Sequence, residues 1–343
     1  MSQNTDLPTA LKRFRQPIED GLRAALGGSL PLYDMLRYHL GWVDAEGRPR
    51  KDAGGKGVRP VLCLVACEGV GGEAVQALPA AVAVELTHNF SLIHDDIEDV
   101  SWERRGQETV WRIWGQAQAI NAGDAMLALA RLSLLRLGEQ GVPPVRVLRA
   151  SRLLDETSLK LCEGQHLDIS YEGRLDVSVA DYLEMIGGKT AALFECSLKL
   201  GALVGSAEEA LIEGLGNFGL NLGMAFQIRD DILGIWGREQ ATGKSATDIR
   251  QRKKSLPVVY LLEQASGAGR EEIRRIYRQD TIGAEDEEVV LRLLEGVAAR
   301  DCAQHMADDY FSVALSQLDA LAIAPKPKAE LEELAAFLVE REG

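Results

Sequence analysis

Apolar residues recur at three- and four-residue steps through most of the chain, and the alternation typical of half-buried strands is scarce. Ala and Leu dominate these stretches. Gln76 to Trp102, Gln116 to Leu137, Pro144 to Gln165 and Ser206 to Leu233 each have the length of a long helix. Leu291 to Leu321 has room for two. Gly and Pro gather at Gly41 to Gly57, Gly138 to Pro144, Gly187 to Gly188, Gly234 to Gly243 and Ala322 to Lys328, where the chain is expected to turn. No Pro- or Ser-rich linker and no short repeat divides the sequence. The pattern predicts one all-α domain over residues 1–343, with a mobile N-terminus over residues 1–8.

Hydrophobic residues make up 46% and charged residues 26%, a balance that excludes disorder along the whole chain. Lys and Arg number 38 against 52 Asp and Glu, a net charge of −14. That argues against a nucleic-acid partner, and an anion could be held only by a local cluster of Lys and Arg. The Cys count of five is odd. Cys63 and Cys67 could share a helix face, but no second Cys or His pair follows at zinc spacing, so mostly buried free thiols in a reducing compartment are expected. The opening MSQNTDLPTALKRFRQ lacks an apolar signal core, and no run of about 18 uncharged apolar residues occurs. The expectation is a cytoplasmic protein without a transmembrane segment, which could still handle a greasy substrate.

Two acidic clusters interrupt the apolar pattern. In Glu85-Leu-Thr87-His88-Asn-Phe90-Ser91-Leu92-Ile93-His94-Asp95-Asp96-Ile97-Glu98-Asp99, helical spacing lets Asp95, Asp96 and Asp99 converge on one side, with Leu92 and His88 on the same stripe. Acidic residues at such spacing are usually a solvated face. Leu92, Ile93 and Ile97 argue against a fully wet helix, and buried carboxylates need cations. Hard oxygen ligands at this spacing suit Mg²⁺, which bridges carboxylates to phosphates. The second cluster, Phe226-Gln227-Ile228-Arg229-Asp230-Asp231-Ile232-Leu233-Gly234, also ends a long apolar stretch, with Gln227 and Asp231 on one face. The two could face each other across an antiparallel bundle and build a metal site between helices.

Basic residues follow each cluster. Arg104-Arg105-Gly106 is either a salt-bridge patch or a grip on phosphate oxygens. Gly54-Gly55-Lys56-Gly57-Val58-Arg59-Pro60 is a Gly-rich entry to a helix, where backbone can approach a phosphate; it lacks the spacing of a Walker A loop. Lys189-Thr190 follow Gly187-Gly188, and Lys244 and the run Asp248 to Pro257 follow the second cluster. Each of these is bland alone, and their placement just after an Asp pair or at a Gly-marked helix start raises the functional reading.

Asp95-Asp96-Ile-Glu-Asp99 with Arg104-Arg105-Gly106, then Gly188-Lys189-Thr190, then Phe226-Gln227 with Asp230-Asp231, resemble in order the motifs of the trans-isoprenyl diphosphate synthases, the polyprenyl synthetase family. The likeness runs from the Gly-Gly-Lys56 segment to about Pro257, and the wording of the second motif looks most like bacterial geranylgeranyl diphosphate synthases. The resemblance implies an all-α bundle around a deep central cavity, with three Mg²⁺ ions joining an allylic diphosphate to both motifs. It implies that Asp95, Asp99 and Asp230 are metal ligands supported by Asp96 and Asp231. Arg104, Lys189 and Lys244, with Lys253 beside them, are expected to bind the allylic diphosphate. Lys56, Arg59, His88 and Arg105 are expected to bind isopentenyl diphosphate, and Thr190 and Gln227 to lie near the reacting carbons. Homodimers are common in the family. Two departures stand out: Gly234 replaces the third Asp of the second motif, and Arg252 replaces the Gly before the downstream Lys.

The reaction so implied ionises an allylic diphosphate, lets isopentenyl diphosphate attack through its double bond, and passes a proton to the departing diphosphate. A class I terpene cyclase would need an Asn/Asp, Ser/Thr, Glu triad that is missing around Asn221 to Asp231, and it would not need Lys56, Arg59 and Arg105. A non-catalytic partner subunit could shed motif residues that this chain keeps. For product length, Phe90, Ser91 and Thr87 lie one to two turns before Asp95. Periodicity alone does not make Phe90 the floor of a cavity, and an ordinary core Phe is the competing reading. In the resembled family a lone aromatic there, followed by a small residue, goes with a twenty-carbon product, and farnesyl diphosphate is the runner-up.

Overall fold

The computed structural model describes residues 7–50, 55, 57–206, 208–237 and 247–340. Of the N-terminal stretch expected to be mobile, residues 1–6 lie outside them. The chain divides into two compact units, Met1–Ser158 with Cys196–Gly216 and Leu321–Leu334, and Leu159–Glu195 with Asn217–Ala320 and Ala335–Gly343. The fold is all-α.

The first unit is built on α1 (Thr9–Ala25), α2 (Pro31–His39), α3 (Val58–Gly69), α4 (Ala74–Glu98), α5 (Val110–Trp114) and α6 (Gln116–Leu135), with the beginning of α7 (Pro144–Tyr171) and most of α9 (Ala192–Gly205). α4 packs along α6 and α3. Leu62, Cys63, Leu64, Val65 and Ala66 of α3 are all buried, because a helix enclosed on every side is apolar all round. Gly201 and Gly205, one turn apart on α9, meet the carbonyls of Cys63 and Cys67, one turn apart on α3; a Cβ at either glycine would collide with that backbone. The two cysteines do share a face, and it serves helix packing. All five cysteines are free thiols, with Cys63, Cys67 and Cys196 buried.

A short hairpin interrupts the helices: β1 (Glu103–Arg104) pairs antiparallel with β2 (Gln107–Glu108) in the register Arg104 to Gln107. Its two loop residues, Arg105 at φ 54° and Gly106 at φ 72°, both take the left-handed conformation that a tight primed turn demands.

The second unit holds the remainder of α7, α8 (Val179–Ile186), a single π turn (Gly187–Ala191), α10 (Glu209–Trp236) beyond Gly216, α11 (Thr247–Arg250), α12 (Leu256–Gln264), α13 (Gly267–Tyr277), α14 (Ala284–Gly296) and α15 (Ala299–Asp319). The last helix, α16, is Pro325–Val339. α12 is the hub of the second unit. Its Leu256 and Val259 join Tyr182, Ile228 and Ile232 in one apolar cluster, while Val258 and Leu261 join Ile249, Ile273 and Leu294 in another. Ser178 and Asp181 form a reciprocal capping box that starts α8.

Candidate active site

In the first unit, α4 ends at Glu98, so Asp99 is its C-cap rather than part of a continuing helix. Asp96 is 1% exposed, Asp95 is half-buried and Asp99 is exposed. The hairpin then folds back, and Arg104 Nε donates to Asp96 Oδ1 at 2.8 Å. Burial still dominates and pushes the Asp96 carboxyl up to about 6 against the pull of Arg104, with Asp99 adding to the rise. Asp96 Oδ2 is buried without a hydrogen-bond partner.

Cations collect beside this carboxylate group. Arg59 sits in the first turn of α3, just after Gly57 at φ 59°, where the helix N-terminus already favours an anion. Arg59 Nη1 lies 3.4 Å from His88 Nε2. Burial, then Arg59, Arg105 and Arg104, hold His88 well below the ordinary imidazole range, so it is a neutral acceptor for Arg59. Gly55 packs on the Arg105 guanidinium, and a Cβ there would stand 3.1 Å from Nη2. His39, which the sequence did not single out, ends α2 within this group. Burial, then Arg105 and Arg104, press its pKa down to about 3. Arg59, His88 and Arg105 therefore lie together, and Arg104, which the resemblance groups with Lys189 and Lys244, lies with them; Lys56 lies outside the described residues.

In the second unit the π turn carries Lys189 and Thr190. Glycines set its place. Gly164 of α7 touches the Lys189 backbone and Gly223 of α10 touches Ala191, so closely that a Cβ at either would collide. One helical turn after Gly164, Asp168 receives Lys189 Nζ at 2.5 Å. One turn after Gly223, Gln227 Oε1 accepts from the Thr190 hydroxyl at 2.8 Å. A further turn on, Asp231 is buried and accepts from Gln227 Nε2 (2.9 Å), the Tyr182 hydroxyl (2.6 Å) and the Leu256 N–H at the start of α12 (2.8 Å). Burial outweighs these three donors and lifts the Asp231 carboxyl to about 7, with nearby Asp248 adding to the rise. Asp230 is exposed. Asp168 and Tyr182 escaped the sequence reading, although Asp168 stands one turn after a glycine and Tyr182 seven residues before Lys189.

Both departures from the family pattern have a structural counterpart. A side chain at Gly234 would collide with the Asp248 carboxylate, so a carboxylate reaches this spot from another part of the chain. Asp248 Oδ1 lies 3.7 Å from Lys253 Nζ. Arg252 has φ 55°, the conformation for which Gly is suited, and its Nη1 donates to the Gln279 carbonyl at 2.6 Å, tying down the strained residue. Lys244 lies outside the described residues.

The carboxylate oxygens of half-buried Asp95 and of exposed Asp99 and Asp230 are hard donors, and Asp96 and Asp231 are buried. Among the described residues no three His, Cys, Asp or Glu side chains form a cage of their own. This donor set fits Mg²⁺, which keeps water and phosphate oxygens and takes one or two carboxylates. Phe90 and Thr87 are buried on α4, with the Phe90 ring edge-on to His94 at 5.9 Å. Ser91 is half-buried and donates to the His88 carbonyl at 2.8 Å.

Residues 46–295 match the family model described as polyprenyl synthetase. A (2E,6E)-farnesyl diphosphate synthase of Mycobacterium bovis is 40% identical over 315 residues, covering 90% of this chain and 86% of that protein. A geranylgeranyl diphosphate synthase of Mycobacterium tuberculosis is also 40% identical, over 91% of this chain and 87% of its own. Among solved structures, a polyprenyl synthetase from Streptomyces coelicolor superposes with a TM-score of 0.89 at 42% identity, over 96% of this chain and 98% of that one. No helix among the described residues is long and apolar enough to cross a membrane.

Proposed function

The chain belongs to the polyprenyl synthetase family, and we propose that it condenses isopentenyl diphosphate head to tail with an allylic diphosphate to give mainly geranylgeranyl diphosphate. Relatives of equal identity are named for fifteen- and twenty-carbon products, so the choice of twenty rests on Phe90 followed by Ser91. Farnesyl diphosphate is the runner-up. The observation that carries the reading is a pattern repeated in both units: exposed aspartates, a buried hydrogen-bonded aspartate beside them, and cations held in place nearby.

Arg59, neutral His88, Arg105 and Lys56 bind the diphosphate of isopentenyl diphosphate. Arg104, Lys189, Lys244 and Lys253 bind the allylic diphosphate. Asp95, Asp99 and Asp230 would hold Mg²⁺, three ions in all, with Asp96 and Asp231 fixing their neighbours from behind. When bound, Mg²⁺ supplies positive charge where the leaving diphosphate becomes more negative. Lys189 and Arg104 add fixed positive charge at the same stage. Thr190 and Gln227 lie beside the reacting carbons. Apolar walls keep water from the allylic cation, and the departing diphosphate takes the proton.

Purified protein incubated with isopentenyl diphosphate and labelled allylic diphosphates is expected to elongate them with Mg²⁺ and to stop when EDTA is added. Cyclic hydrocarbons would point to a terpene cyclase, and no product without a second subunit to a regulatory partner. Full activity without divalent metal would refute the metal requirement.

A further inference from the structure

The hydrogen bonds around Asp231 have a direction. The Leu256 N–H can only donate, and it ends on Asp231 Oδ2 at 2.8 Å. The Tyr182 hydroxyl ends on the same oxygen at 2.6 Å. Tyr182 is 1% exposed, and burial beside Asp231 raises its pKa well above the ordinary value, so the phenol keeps its proton and donates it. Asp231 Oδ1, the other acceptor whenever the carboxyl is ionised, faces Gln227 at 2.9 Å. An acceptor there requires the NH₂ end of the amide, and the carbonyl of Gln227 must then point the other way, toward Thr190. At 2.8 Å from that carbonyl, Thr190 has one choice: its only hydroxyl proton goes to Gln227 Oε1. The lone pairs of Thr190 Oγ1 are what remain for any other neighbour.

We propose that Tyr182 is a positioning residue for the condensation: through Asp231 and Gln227 it fixes the Thr190 hydroxyl so that oxygen lone pairs, and not a proton, face the allylic carbon as it becomes cationic. The inference rests on the functional reading that places Thr190 beside the reacting carbons. An oriented dipole set before the reaction stabilises developing charge without reorganising during it. The local fold supports the arrangement. The π turn displaces Thr190 from the ordinary helical path, and Gly223 lets the backbones of α10 and the turn touch, so the relay is short and rigid. Tyr182 sits in the apolar cluster with Ile228, Ile232 and Leu256, which fixes its ring from several sides. Removing the hydroxyl alone leaves that packing in place. Asp231 then has one donor fewer, and the amide can turn over.

A double-mutant cycle on kcat tests the relay. Tyr182→Phe is expected to lower kcat about tenfold and to leave both Michaelis constants within about twofold, because it touches neither diphosphate site. Thr190→Val removes the hydroxyl that the relay serves. In that background Tyr182→Phe is expected to cost nothing further, since no lone pair is left to aim. Losses that multiply in the double variant, or a Tyr182→Phe effect confined to Michaelis constants, would overturn the proposal. Thermal unfolding of each variant establishes that it is folded. If Tyr182→Phe does not fold, Gln227→Met takes its place in the cycle with the same two outcomes. No prenyl transfer by the wild-type chain overturns the functional reading and the relay with it; transfer by the wild type with multiplying losses overturns the relay alone.

Discussion

Arg59 and Lys189 carry the same charge into different surroundings. Arg59 has a neutral imidazole at 3.4 Å and lies near Arg105 and near Arg104, which is held by Asp96. Lys189 is already paired with Asp168 at 2.5 Å, so substrate must share it. Arg59→Ala is therefore expected to raise the Michaelis constant for isopentenyl diphosphate, and Lys189→Ala that for the allylic substrate. Each loses a charge-assisted contact of roughly 1.5–3 kcal/mol, or about one to two decades. A rise confined to the same substrate in both variants would show the assignment to be wrong. Gly234 and Arg252 belong to this scale too. Each looks like a defect when read against the family pattern, yet Asp248 fills the space at one and Gln279 secures the strained backbone at the other.

At the scale of elements, α4 joins chain-length control to chemistry. Phe90 is buried within the same helix that ends in Asp95, Asp96 and Asp99. If its ring is the floor on which the growing tail ends, Phe90→Ala lengthens the product and Ser91→Phe shortens it toward fifteen carbons. Chromatography of the dephosphorylated products decides this, and an unchanged distribution in both variants would place the wall elsewhere. The hairpin and the π turn serve as mounts. One aims Arg104 at Asp96 and the other aims Lys189 at Asp168.

For the whole molecule, pH and association are the testable properties. His39 is buried, with no hydrogen-bond partner on Nε2, and it faces Arg104 and Arg105 of the hairpin and His88 of α4. Its pKa is about 3 in the folded chain and near 6.5 when unfolded. Below pH 6.5 the unfolded state binds a proton that the folded state refuses. His39 therefore costs no stability above pH 6.5, and stability is lost as pH falls from there toward 3. Between pH 7.5 and 5.0 the wild type is expected to lose about 2 kcal/mol more than His39→Gln. Equal losses in denaturant titrations would exclude that role. We also propose a homodimer, supported by the exposed Leu132 and Leu135 of α6 and Val145 and Leu148 of α7. Light scattering that finds only a 37.4 kDa species at micromolar concentration would count against it.

The helical class, the long elements and the two aspartate motifs were legible in the sequence because they depend on local periodicity and on residues a few positions apart. The long helix expected from Pro144 to Gln165 runs on to Tyr171, since nothing local marks its end before Gly173. Sequence also marked the exposed aspartates and their buried neighbours, which share short motifs. It could not mark Asp168, Tyr182, His39 or Asp248. Each earns its place from a partner 14 to 66 positions away: Lys189 for Asp168, Asp231 for Tyr182, Arg105 for His39 and Gly234 for Asp248. A one-dimensional pattern fixes which residues share a helix face. Only the packed backbone, through glycines that let helices touch, decides which faces meet and which way each hydrogen bond points.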